Sequence, residues 1–147
     1  MKQAFVLMMC LAVILQLGYL LAGYDAMYQI GYGAITLMGL MISLTFLWLY
    51  VQRATPLALG MAYSWSGASL VLGWWWIFAL AGEPAMMSQS GAHFVPLALY
   101  LSGALLHFGV IHRSFGWHGT SFLWPVLGAV VLSTLIYLAV WRYLGVT

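Results

Sequence analysis

Apolar positions along this chain come in long uninterrupted runs, at about 4 to 22, 31 to 51, 57 to 80, 93 to 111 and 122 to 143, separated by short polar or Gly/Pro-containing breaks. A helix that crosses the hydrocarbon core of a bilayer uses about 20 apolar residues, and each run has that length. Stretches such as Leu123 to Leu132 do not alternate in polarity, which argues against a transmembrane β-barrel, whose strands alternate over about 10 residues. The pattern predicts an all-α fold: a single integral membrane domain over residues 1–147, a polytopic helix bundle of about five transmembrane helices. Lys2 followed by an apolar run resembles a leader. The run nevertheless continues through Gln16-Leu-Gly-Tyr-Leu-Leu-Ala-Gly-Tyr without a clear small-residue cleavage site, and is read as the first helix.

Composition supports this picture and removes several functions. Only 4% of residues are charged and 65% are hydrophobic, against roughly 25% charged in a soluble domain. A net charge of +2 without clustered Lys and Arg leaves no surface for nucleic acid. The single cysteine, Cys10, excludes an internal disulfide and multi-cysteine metal motifs. No nucleophile elbow, phosphate loop or pair of catalytic carboxylates occurs, so no enzyme is expected.

The few charges sort by loop. Lys2 precedes the first segment, Arg53 separates the second from the third, and Arg113 separates the fourth from the fifth; Asp25 and Glu83 occupy the two other breaks. The positive-inside rule then puts the N-terminus in the cytoplasm, and a bacterial inner membrane is the expected location. Arg142 departs from this order, but beside Trp141 and Tyr143 it reads as a snorkelling cation in an aromatic belt. Tyr24, Tyr28, Tyr32, Trp48, Tyr50, Trp117 and Trp124 are expected as further interfacial anchors. Pro56, Pro84 and Pro125 lie near segment edges, whereas Pro96 either marks the start of the fourth helix or kinks it.

With lipid outside, helices associate through small residues and buried polar contacts. The third segment is densest in them, with Gly60, Ser64, Ser66, Gly67 and Ser69 around Tyr63 and Trp65, and is expected to be the central packing element. The three consecutive tryptophans Trp74, Trp75 and Trp76 point in different directions around a helix. Gln16, the only large polar side chain well inside the first segment, needs a hydrogen-bonding partner in hydrocarbon. No ionisable residue lies at the centre of a segment, which removes the usual carrier of protons or ions. Among the histidines, His107 and His112 are about 140° apart on a helix, a poor arrangement for one metal, and no metal site is expected. Either residue, or His93, is a candidate to ligate haem or hydrogen-bond a quinone. The sequence identifies no cofactor.

The stretch Gln52-Arg-Ala-Thr-Pro-Leu-Ala-Leu-Gly60-Met-Ala-Tyr63-Ser-Trp65-Ser-Gly67, with Gly82-Glu83 and the later Gln89 and Gly103, resembles the small multidrug resistance branch of the drug/metabolite transporter superfamily. The likeness covers the second to fourth segments. It implies a dimeric carrier in which Tyr63 and Trp65 line a substrate pocket with Gln16, binding a small hydrophobic or cationic ligand. The family's membrane-embedded glutamate has no counterpart here: Gln16 lies near the equivalent depth and cannot release a proton, so the resemblance implies a carrier without proton coupling. A fifth segment and a longer third break also exceed the family plan. The competing expectation is a structural or cofactor-binding subunit, holding quinone, haem, pigment or lipid, of a larger membrane redox or photosynthetic complex. Membrane lipid and a homodimeric or larger assembly are the expected partners.

Overall fold

The computed structural model describes residues 2–116 and 119–144; Trp117 and His118 lie outside the described residues. The order is α1 (Lys2–Arg53), α2 (Pro56–Leu80), the single turn α3 (Ala85–Ser88), a 3-10 turn (Gly91–His93), α4 (Phe94–Ser114) and α5 (Leu123–Leu144), with no strand among the described residues. The fold is an all-α bundle. All four prolines stand at helix starts: Pro56 opens α2, Pro84 caps α3, and Pro96 and Pro125 fall in the first turns of α4 and α5. Their missing N–H groups are not needed there, so Pro96 marks a start and not a kink.

The first two expected segments are joined in α1, whose 52 residues would run about 78 Å if straight, more than twice the ~30 Å hydrocarbon core. The helix breaks at Gly23 (φ 83, ψ 172), a conformation that strains any residue with a Cβ. The break folds the chain enough to bring Met27 onto Gly18, where an added Cβ would meet the Met27 sulfur at 2.5 Å. In a straight helix the two residues would be about 13 Å apart along the axis. Residues 2–17 are exposed throughout, as are residues 127–143 of α5. The stretches Lys2–Arg53, Gly91–Ser114 and Leu123–Tyr143 are long and apolar enough to cross a membrane, and such helices, apolar on every side, are those of a membrane protein.

The bundle's centre is α2, which packs against the second half of α1 on one side and α4 on the other. Its buried residues are all small: Ala58, Gly60, Ala62, Gly67, Ser69 and Gly73. They face Gly33, Thr36, Gly39 and Ser43 of α1 and Gly103 of α4, which are equally small. Toward α1, Trp76 covers Gly33, Gly73 meets Thr36, Ser69 meets Gly39, and Ser43 hydrogen-bonds Ser66 and donates to the Ala62 carbonyl at 2.9 Å. Toward α4, Gly60 meets Leu106 and His107, Ser64 meets Gly103, and Gly67 meets Tyr100. Both pairs run antiparallel. At 100° per residue, Ala62, Ser66, Ser69 and Gly73 form one stripe of α2, and Gly60, Ser64 and Gly67 form another roughly 180° away. The second half of α1, α2 and α4 therefore make a flat layer with α2 in the middle. α2 is not among the helices long and apolar enough to cross a membrane by length and composition, because Ser, Gly, Tyr and Trp make up much of its sequence and lower its hydropathy.

This antiparallel layer puts Arg53 and Arg113 at one end and Asp25 and Glu83 at the other. The acidic end also carries the stacked tyrosines: Tyr28 and Tyr32 have ring centroids 4.2 Å apart, with Tyr24 a further 6.0 Å from Tyr28. Aromatic girdles of this kind mark a membrane interface.

Candidate functional site

A cavity of about 1150 Å³ opens between the start of α2, the second half of α4 and the start of α5. On α4 it is floored by Ser102, Leu105, Leu106, Gly109, Val110 and Arg113, positions that fall on one helical stripe at three- and four-residue steps. The walls opposite come from Pro56 and Tyr63 of α2 and from Phe122 and Leu123, so no single segment of the sequence shows the groove. The surface is mostly apolar, with Tyr63 and Ser102 toward one end and His112 and Arg113 at the other. His112 Nδ1 sits 3.2 Å from Ser121 Oγ, which ties the end of α4 to the turn before α5. A Cβ on Gly109 would meet nothing within 4 Å, so this glycine widens the groove.

A smaller cavity, about 250 Å³, lies at the acidic end among Trp74, Trp75, Ser88, Gln89, His93 and Phe94. The His93 ring is 5.8 Å from Trp74 and 5.5 Å from Trp75, so the break between α2 and α4 folds back over two of the three consecutive tryptophans. Trp74 Nε1 and His93 Nδ1 are buried without hydrogen-bond partners among the described residues.

The residues expected to share a pocket are dispersed. Tyr63 lines the large groove. Trp65, two residues on and therefore on a different face, approaches Gly39 on the α1 side, 3.5 Å from where a Cβ there would stand. Gln16 is exposed on the first half of α1, and the interhelical hydrogen bond expected of it is not made among the described residues. The physical reason is the break at Gly23, after which only the second half of α1 packs on α2.

The two histidines also part. His112 reaches the groove. His107 is pressed onto α2, its Nε2 only 3.3 Å from the place of a Gly60 Cβ, which leaves no space for a porphyrin at that nitrogen. Its Nδ1 is 3.5 Å from Ser64 Oγ, too long for a strong bond, and Nε2 is buried without a partner. Replacing this ring by an apolar side chain removes an orphaned polar atom, so His107→Leu is expected to raise stability by about 1 kcal/mol. A thermal melt in detergent checks this; a lower Tm than wild type would reveal a partner for Nε2. Among the described residues no group of three or more His, Cys, Asp or Glu could hold a metal ion. Comparison of the chain with protein-family models, curated proteins and solved structures finds no match.

Proposed function

We propose that this chain is a non-catalytic subunit of a larger membrane assembly, which holds a hydrophobic ligand of the quinone, haem, pigment or lipid class in the α2–α4–α5 groove. The observation that carries the reading is Gln16. It stands exposed in the 4 to 22 run, on a stretch, residues 2–17, that is exposed throughout. An unpaired amide in hydrocarbon is costly, and a helix from a second copy or from another subunit relieves that cost. The carrier reading has less support, since it needs Gln16, Tyr63 and Trp65 around one cavity.

Extracted from membranes in mild detergent, the protein is expected to run as an assembly heavier than one 16.2 kDa chain. Gln16→Leu should shift it toward the monomer, one interhelical polar contact being worth about 0.6 to 2 kcal/mol. A monomeric wild type, or an assembly indifferent to Gln16→Leu, defeats the reading. An absorption spectrum of the same sample separates ligand classes: a Soret or pigment band identifies haem or pigment. A colourless dimer that moves a cationic substrate across vesicles returns the carrier.

The same reading puts the N-terminus and the Arg53 and Arg113 ends in the cytoplasm of a bacterial cell, with five crossings of the inner membrane, because both arginines share one end of the layer. Topology reporters fused after Arg53 and after Thr147 are then expected on opposite sides. Reporters on the same side would leave an even number of crossings between them and overturn the arrangement.

A further inference from the structure

We infer that the α2–α4–α5 groove binds one acidic phospholipid from the leaflet at the Arg53/Arg113 end, an acyl chain along α4 and the phosphate at Arg113. The inference rests on the ligand-holding part of the function proposed above and names its ligand. Three observations meet here. From Ser102 to Arg113 the groove floor follows α4 for about 16 Å, close to half of the ~30 Å hydrocarbon core, which is the depth an acyl chain of one leaflet reaches. Its surface is mostly apolar, with the hydroxyl-bearing Tyr63 and Ser102 at one end, and its only cationic side chain among the lining residues, Arg113, stands at the other beside His112, so charge is confined to one end as in a phospholipid. The third observation is charge. This end of the layer carries Arg53 and Arg113, both acids, Asp25 and Glu83, lie at the far end, and no ion pair ties up Arg113 among the described residues. A guanidinium offers forked donors that match a phosphate, and basic pockets between membrane helices attract anionic headgroups. A quinone has the apolar body for the groove but no anion for the arginine.

Native mass spectrometry of the detergent-purified protein, mixed with equal amounts of phosphatidylglycerol and phosphatidylcholine of the same acyl chains, tests the inference. The wild type is expected to retain one phosphatidylglycerol in preference, and Arg113→Gln to lower that preference about fivefold, the order of effect of one cation near an anionic headgroup. Gly109→Phe, which enters open space rather than a neighbouring backbone, should abolish retention of both lipids while the melting temperature stays at the wild-type value. Inorganic phosphate added in excess should leave the lipid in place. Equal retention of the two lipids, an unchanged preference in Arg113→Gln, retention by Gly109→Phe, or displacement by phosphate alone overturns the inference. If the wild type instead retains a quinone or a pigment that Gly109→Phe loses, the inference fails and the ligand-holding function stands. If it retains no lipophile at all, both fail.

Discussion

Gly67→Leu is expected to separate α4 from α2 and to cost about 3 kcal/mol or more, at the upper end of what overpacking does. The expectation comes from what a side chain would meet. A Cβ at Gly67 would lie 2.5 Å from the Tyr100 Cα and 2.6 Å from its Cβ, and real atoms do not approach so closely. A flexible side chain can swing aside, but the Tyr100 backbone moves only with the helix that carries it. Gly103, one turn along α4, makes the reciprocal contact, its added Cβ falling 2.8 Å from the Ser64 Cα. Neither side can therefore yield without opening the whole α2/α4 seam, where van der Waals contact at short range is what holds membrane helices together. The groove should be lost with the seam, since α2 and α4 supply two of its walls. Size-exclusion profile and thermal melt in detergent check the result. A Gly67→Leu protein that folds and assembles as the wild type would falsify the close approach of the two helices.

On the other face of α2, Gly39→Ala is expected to destabilise by about 1 to 3 kcal/mol, and Ser69→Gly in the same chain to recover much of that loss. The new methyl would collide with the Ser69 hydroxyl and come within 3.3 Å of its Cβ. Ser69 is buried, at 2% exposure, so its side chain is enclosed by the seam it would have to make room in. Removing that side chain vacates the volume the methyl needs. The pair should therefore be non-additive, with a coupling of about 0.5 to 3 kcal/mol as found for residues in contact. Melting temperatures of the two single variants and the double variant complete the cycle. Additive losses would mean that Gly39 and Ser69 do not face one another.

Much of the architecture was legible in the chain, and the reason is local. A backbone in hydrocarbon must satisfy its own hydrogen bonds, so each long apolar run becomes a helix, and 31 to 51, 57 to 80, 93 to 111 and 122 to 143 all do so. The density of small residues in the third segment picked out α2 as the centre, since close backbone approach needs their absence of bulk. Sorting of Arg53 and Arg113 against Asp25 and Glu83 followed from the order of the loops alone.

The site was harder to read. Gln16, Tyr63 and Trp65 were grouped by a family likeness that treats the first segment as packed on the third. The conformation at Gly23 decides otherwise, and nothing in the neighbouring residues states the angle through which the chain turns there. Tyr63 and Trp65 differ by two positions, which on a helix is about 200°, just over half a turn, so one residue serves the groove and the other the α1 seam. The break from Glu83 to Ala92 is expected from the sequence only as a longer loop. That it holds a turn of helix and folds His93 onto Trp74 and Trp75 depends on aromatic contacts across the chain.

The sequence by itself determined membrane residence, the helical segments, their charge order and the smallness of the residues that meet. Only the tertiary structure decided which face of each helix is covered. In a soluble protein polarity separates inside from outside, but lipid is as apolar as a packed core, so an inward Leu106 and an outward Leu101 read alike along the chain. The groove beside α4 exists because Tyr63, Gly109 and Phe122, from three separate helices and turns, come together around a space that no single segment encodes.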